Sequence, residues 1–485
     1  MSRSVLRSSP VRWTVLVDVL LAGAVTWAAL SGERGVVAAL VPACVCLGCW
    51  QAVVFLRARR GGLILGVERH IRLPHYFQAG VQGCHYLYLG LYYPAVREHL
   101  PLIAVQVVVF YALEMLLQWS RGRKWRAGFG PLPVVGSINL FLWFEPEYSF
   151  GQLLLIVGAL ASREFVRWRR DGRSSHIFNP SAIALAAAGV FLMTTNTTTA
   201  TTGINHILAF ELPPSFFELM FVCGILLQIF FATTLVTFGA VLALALIHYG
   251  GTLLLGAWPL FNIFHISVFL GLNLLATDPA TSPRTPAGKL LFGLTWGAAI
   301  WCCYLGLRLL ELPPYYDKIL TVPLVNLLVP MFEKSAGIGR VSGQFGRLLE
   351  RWGRANERSR RRRSSGRERA GRAITMSFRF DRAAFIAAYA GLFLLILPTL
   401  KLQYRSAEYY FKDRLPPITS PEVWKSIPLV QEKRLFCERH RRACEPWGIA
   451  EEIRNYAAFA RELRLRYAVV QDIDRLRNAT ERDDR

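Results

Sequence analysis

The sequence predicts an all-α polytopic membrane protein with about 10–13 transmembrane helices. Three observations carry that prediction. First, 53% of the 485 residues are hydrophobic and the mean hydropathy is +0.32, with the apolar residues massed in unbroken blocks instead of spread at amphipathic spacing. Second, the blocks reach the roughly 20 apolar residues that span a hydrocarbon core about 30 Å thick, and they recur from Thr14 to Thr399. Residues 215–247 contain one charge, Glu218, which is too long a run for a single core helix, and the apolar runs lack the alternation of barrel strands. Third, Lys and Arg collect in alternate loops, the pattern expected where basic loops stay in the cytoplasm.

In chain order, spans are predicted at 14–30, 36–56, 78–96, 100–119, 131–144, 150–166 and 178–195. They continue at 215–234, 235–255, 259–276, 288–310, 317–332 and 382–400. The first block, Thr14 to Leu30, lacks a convincing cleavage site and is followed at once by another span, so it reads as a retained helix. Arg57–Arg60, Arg121–Arg126, Arg163–Arg173, Arg284–Lys289 and 333–382 are basic and sort to one side. The loops at 145–149, 196–214 and 311–316 carry Glu145, Glu147, Glu211 and Glu311 with almost no Lys or Arg. The N-terminus is therefore expected in the cytoplasm and, with an odd number of spans, the tail from Lys401 on the outer face.

The net charge of +23 and pI near 10.0 would suggest nucleic acid in a soluble protein. About a quarter of the basic residues lie between Arg340 and Arg382, including the run Arg360–Arg363, which reads as a topology anchor near anionic lipid; no nucleic-acid partner is expected. The tail, 401–485, mixes both charge signs, and Glu451 to Arg477 places Ile453, Tyr456, Phe459, Leu463, Tyr467, Val470 and Ile473 at helical spacing. That suits a small helical element packed on the membrane domain or on a membrane or periplasmic partner subunit. Its two cysteines, Cys437 and Cys444, are either a disulfide or two unpaired thiols. A closed zinc site wants four ligands, and His440 is the only nearby imidazole. The other seven cysteines lie in spans and read as small buried hydrophobes.

Two polar segments interrupt the apolar pattern. His176-Ile177-Phe178-Asn179-Pro180-Ser181-Ala182 opens a span, with Pro180 suited to a first helical turn and Asn179 to capping its free amides. Ala276-Thr277-Asp278-Pro279-Ala280-Thr281-Ser282-Pro283 closes one and is followed by Arg284, Pro286 and Lys289. Helix N-termini attract anions and electron-rich rings, and an Asp at membrane depth is costly unless paired, so Asp278 is a functional candidate. The plainer alternative is a pair of ordinary caps at an interface.

Leu274 to Glu333 resembles the closing half of the family that contains the D subunit of the Rnf electron-transport complex and the B subunit of the sodium-translocating NADH:quinone reductase. The residues are Ala276-Thr277-Asp278-Pro279, Ser282, Gly288-Lys289, Phe292-Gly293, Gly306, Arg308, Asn326-Leu327-Leu328-Val329-Pro330 and Glu333. The 176–182 segment is similar to the family's Asn-Pro-Ala helix start, and Glu114 before the Arg121–Arg126 loop resembles its early intramembrane glutamate. Order and spacing agree across about 110–333. The resemblance implies an inverted-repeat core in which discontinuous helices meet at a central site between Asn179, Pro180, Thr277, Asp278 and Asn326. It also implies flavin, electron transport coupled to sodium or proton movement, and a bacterial inner membrane. The chain then divides into N-terminal helices (1–110), the family-like core (111–333), a basic loop (334–381), a last span (382–400) and the tail (401–485).

The departures bear on the cofactor. The family's FMN-accepting threonine sits in a Ser/Asp-Gly-Ala-Thr motif that is absent here; the outer loop reads Thr194-Thr195-Asn196-Thr197-Thr198-Thr199-Ala200-Thr201-Thr202-Gly203, better suited to a hydrogen-bonding polar loop. Arg170-Asp171-Gly172-Arg173-Ser174-Ser175 replaces the glycine-rich stretch before Asn-Pro. Covalent FMN is thus not expected, whereas non-covalent FMN or riboflavin is compatible. A divergent branch, such as the membrane proteins named after enediyne biosynthesis, fits these departures.

Haem needs two facing imidazoles at one depth. The intramembrane histidines are His85, His248 and His265, with His75 and His206 nearer the interfaces; His248 and His265 are placed to meet across a short connection. A lone His hydrogen-bonded between helices is the commoner arrangement. Tyr86, Tyr88, Tyr92, Tyr93 and Trp143 suit a quinone or pigment cleft, or more simply an interfacial belt. There is no Gly-x-Ser-x-Gly, P-loop or His-Glu-x-x-His. Two functions stay open: a redox membrane subunit, or a non-redox structural or permease-like subunit of a larger complex.

Overall fold

The computed structural model describes residues 10–338, apart from 62, 64, 71–72, 93, 171, 202–215, 232, 256–265 and 311, together with 386–391 and 393–394. His206, His265, most of the basic loop, the tail and its Cys437 and Cys444 lie outside the described residues.

The chain begins with a helical pair, α1 (Pro10–Leu30) and α2 (Arg34–Arg59), followed by the short strand β1 (Val67–Arg69). Next come α3 (Leu73–Tyr92), α4 (Pro94–Ser120), strand β2 (Trp125–Ala127), α5 (Pro131–Phe141) and α6 (Ser149–Phe165). A hairpin of β3 (Arg167–Arg170) and β4 (Arg173–His176) leads into α7 (Pro180–Thr194). The described remainder is α8 (Phe216–Phe231), α9 (Thr234–Leu255), α10 (Ile266–Leu270), α11 (Pro286–Leu309), α12 (Asp317–Leu327) and α13 (Val329–Ile338). The protein is thus an all-α membrane protein in character. Among the described residues, five helices (α1, α2, α4, α9 and α11) are long and apolar enough to cross a bilayer, while α5, α7, α8 and α10 are shorter apolar helices. Large apolar side chains such as Val19, Val45, Leu87 and Leu246 stand exposed on helix flanks, as contact with lipid tails requires.

Two apolar clusters organise the packing. The larger is built on α5, α6, α7 and α9–α12, with Ile138, Leu185, Leu244, Phe292, Trp296 and Ile319 fully buried. The smaller joins α1 and α2 to α4 through Leu40, Met115, Trp119 and Trp125. Helix α4 runs unbroken from Pro94 to Ser120, across position 110. The tightest helix pair is α9 with α11. A Cβ on Gly297 would stand 2.7 Å from the Ala240 carbonyl, and one on Gly239 would stand 2.6 Å from that of Leu290. Small residues on facing helices let two backbones approach where lipid gives no hydrophobic drive to associate.

Three features depart from the sequence reading. The span predicted at 317–332 is two helices, α12 and α13, divided at Leu328, with Pro323 inside the first and Pro330 in the opening turn of the second. The segment predicted to end at 276 finishes in a π-helical turn, Gly271–Ala276, closed by Thr277 N–H to the Leu272 carbonyl at 3.2 Å. Two strand pairs interrupt the helical pattern: β1 beside β2 in parallel, and the antiparallel β3–β4 hairpin, whose turn needs Gly172 at φ 71°. The cysteines also differ from expectation. Cys223 is buried, but Cys46, Cys49, Cys84 and Cys302 lie on exposed helix surface, because in a bilayer a small apolar side chain gains as much from lipid as from protein.

Candidate functional site at a junction of helix ends

The start of α7, the end of α10, the loop 277–285 and the α12–α13 break converge at one junction. Asn179 sits at its centre. Its Oδ1 caps α7 by accepting from the amides of Ser181 (3.0 Å) and Ala182 (3.1 Å), with Pro180 in the first helical turn. Its Nδ2 donates to the Leu275 carbonyl at 3.0 Å, tying α7 to the π-helical end of α10. Its own N–H donates to Asn326 Oδ1 at 3.1 Å, a contact across 147 residues that brings in the last turn of α12. Asn179 and Asn326 are both buried, and Thr277, also buried, returns its hydroxyl to the Asn273 carbonyl at 2.8 Å. The Asn326 Nδ2 is buried without a hydrogen-bond partner among the described residues.

Asp278 organises the adjoining loop. Its Oδ1 accepts from the Ala280 amide at 2.9 Å, its Oδ2 from the Thr281 hydroxyl at 3.2 Å, and its carbonyl from the Ser282 hydroxyl at 2.6 Å. His176 Nε2 lies 3.4 Å from Asp278 Oδ2. Burial pushes the Asp278 carboxyl up, but the His176 hydrogen bond and charge, with the Ala280 and Thr281 donors, outweigh it and hold the group below its ordinary value. The hairpin supplies the remaining clamp. Arg170, at the end of β3 and buried, forms an ion pair with Glu333 of α13 and points its guanidinium at the Ser282 carbonyl at 3.4 Å. Glu333 also accepts from the Arg284 amide at 3.0 Å. Thr285 then caps α11 by accepting from Gly288 N–H at 3.1 Å. Of the residues singled out from sequence, Asn179 and Asn326 bond each other and Asp278 bonds His176, whereas Thr277 bonds Asn273.

The histidine and aromatic candidates fall elsewhere. His248 has its ring 5.0 Å from that of Tyr249. His85 is buried edge-on to Phe216, and Tyr88 stacks on the same ring at 5.7 Å. Tyr86 and Trp143 are buried in the helix packing, where Tyr86 donates to the Gly136 carbonyl at 2.7 Å, so neither is a belt residue. Tyr92 and Tyr93 have no described side chains. The described outer-loop hydroxyls of Thr194, Thr195 and Thr201 donate to carbonyls of their own turns.

Comparison with family models, characterised proteins and solved structures gives no match to this chain.

The sequence reading missed one polar set entirely and the pairing of another. In one, Asn139 Oδ1 gathers His99 Nε2 (3.1 Å), Gln106 Nε2 (3.2 Å) and Gln152 Nε2 (3.1 Å), joining α4, α5 and α6, while the His99 ring stacks on Trp143 at 4.0 Å. The signal was available: amide and imidazole side chains inside apolar stretches find one another because no water is there to satisfy them. In the other, Glu114 is ion-paired with Arg163 and accepts from Trp125 Nε1 at 3.2 Å, while Glu164 pairs with Arg121 at 3.1 Å. Glu114 therefore has its counter-charge at the C-terminal end of α6. No group of three or more metal-type side chains occurs among the described residues.

Proposed function

We propose that this chain is a membrane-embedded, structural or permease-like subunit of a larger assembly, built on the plan of the electron-transport subunits it resembles. In it the junction around Asn179, Asp278 and Asn326 locks helix ends together instead of contacting a flavin. The observation that carries this reading is that the two central side chains are spent on protein: Asn179 uses both ends of its amide and its N–H, and both oxygens of Asp278 are engaged. Three buried donors around the junction have no partner among the described residues, Asn326 Nδ2, Asn273 Nδ2 and Arg170 Nε; on this reading they belong to helix-end packing, whereas an isoalloxazine ring would present several acceptors and an N–H together. On this reading the residues named for a flavin hold helix ends together instead. The convergence of three segments far apart in sequence still supports a core of discontinuous helices with about ten or more spans in two inverted halves. The charge pattern supports a cytoplasmic N-terminus with the 401–485 tail on the outer face, docked to a partner, and the resemblance suggests a bacterial inner membrane.

The test is the visible absorption spectrum of the protein purified in detergent, before and after acid precipitation, with Asp278→Ala and Asn326→Ala alongside wild type. The reading predicts no flavin that depends on these residues. A flavin band present in wild type and lost in folded Asp278→Ala would overturn it in favour of non-covalent FMN or riboflavin and electron transport.

A further inference from the structure

A cleft of about 860 Å³ opens at the basic face, between the C-terminal ends of α4 and α6, the β1–β2 pair and the β3–β4 hairpin. Its lining carries six cationic side chains against three carboxylates. Each carboxylate already has its partner: Glu114 holds Arg163, Glu164 holds Arg121 at 3.1 Å, and Glu68 faces Arg126 at 3.7 Å. Three cations are left over. Arg167 spends its donors on Ser174 and the Arg163 carbonyl without meeting a carboxylate. Among the described residues, Arg123 and Lys124 have no carboxylate within ion-pair distance, and both are exposed. The walls cannot relax this surplus by rearranging, because the paired arginines are pinned: Arg121 lies over the Phe165 ring at 4.5 Å and Arg163 over Phe110 at 5.2 Å.

We propose that this cleft binds a phosphate-bearing anion. A cavity of this size takes a small-molecule head, and three uncompensated charges converging on it match a multiply charged group better than a single carboxylate. It sits where polar loops meet the membrane-spanning helices, so the phosphate belongs either to an anionic phospholipid headgroup or to a soluble phosphorylated molecule. Neither source depends on the helix-end junction or on any flavin.

The experiment uses the full chain in detergent, with two probes. Native mass spectrometry follows retention of phosphatidylglycerol against phosphatidylcholine, and calorimetry follows pyrophosphate binding to delipidated protein. The variant is Arg123→Gln with Lys124→Gln, both at exposed positions, and the control is Arg59→Gln, an exposed arginine at the end of α2 outside the cleft. Losing two interfacial charges is expected to weaken the binding probe about 30-fold while the control leaves it unchanged. Preference for phosphatidylglycerol that the double variant loses identifies a headgroup site; pyrophosphate binding that it loses identifies a soluble ligand. Saturable binding of neither probe, or equal binding by wild type and the double variant, overturns the proposal.

Discussion

Asn179 illustrates how one side chain governs several elements. Its amide caps α7 and holds α10, and its N–H fixes α12, so Asn179→Ala removes a cap and leaves the Leu275 carbonyl unsatisfied in a buried place. The expected loss is about 1–3 kcal/mol, read as a lower thermal midpoint in detergent. Asn179→Ser keeps a capping oxygen and should recover part of that loss. Asp278 adds a pH dependence. Because folding depresses its pKa, the folded state binds fewer protons there than the unfolded chain. The stabilisation is therefore complete above the ordinary carboxylate range and disappears as pH falls through the depressed value. The thermal midpoint of wild type should fall on acidification relative to that of Asp278→Asn; parallel curves would show that the His176–Asp278 contact contributes nothing.

At the scale of elements, the α9–α11 pair is held by backbone proximity. Gly297→Leu must push the helices apart, because its Cβ alone would meet the Ala240 carbonyl, and a loss of about 3 kcal/mol or more, seen as loss of monodisperse protein, is expected. Gly306, in the same helix, has nothing within 4 Å of a built Cβ, so Gly306→Ala should be neutral or stabilising by up to about 1 kcal/mol. What could be read from sequence was local. The Asn179-Pro180 start of α7 and the end of the preceding span near Ala276 follow from capping and proline rules that act within a few residues. The α12–α13 break did not show, because Leu327-Leu328-Val329 stays apolar across it and only Pro330 marks it. The β3–β4 hairpin was masked by charge: Arg167, Arg169, Arg170 and Arg173 read as an anchoring loop, although Asp171-Gly172 carried a two-residue turn signal.

For the whole molecule, the candidate site was legible as a set of residues but not as an object. Asn179 stood out as a helix cap, Asp278 as a polar group near an apolar span and Asn326 within a family-like run, yet the Asn179–Asn326, Asn179–Leu275 and His176–Asp278 contacts join segments about a hundred residues or more apart, which no periodicity encodes. The same holds for His99, Gln106, Asn139 and Gln152, whose meeting is a consequence of packing three helices. Orientation is a separate question at this scale. A reporter fused after Arg485 should be active only if it reads the outer face, and activity of a cytoplasm-dependent reporter there would reverse the proposed position of the tail. The account stands or falls on the junction being a lock. Asn326 Oδ1 is the acceptor for the buried Asn179 N–H, so the thermal unfolding of flavin-free Asn326→Ala tests it most directly. A midpoint lowered by the equivalent of about 1–3 kcal/mol is predicted; a midpoint equal to that of wild type would contradict it, since the residue would then hold nothing together in the absence of a ligand.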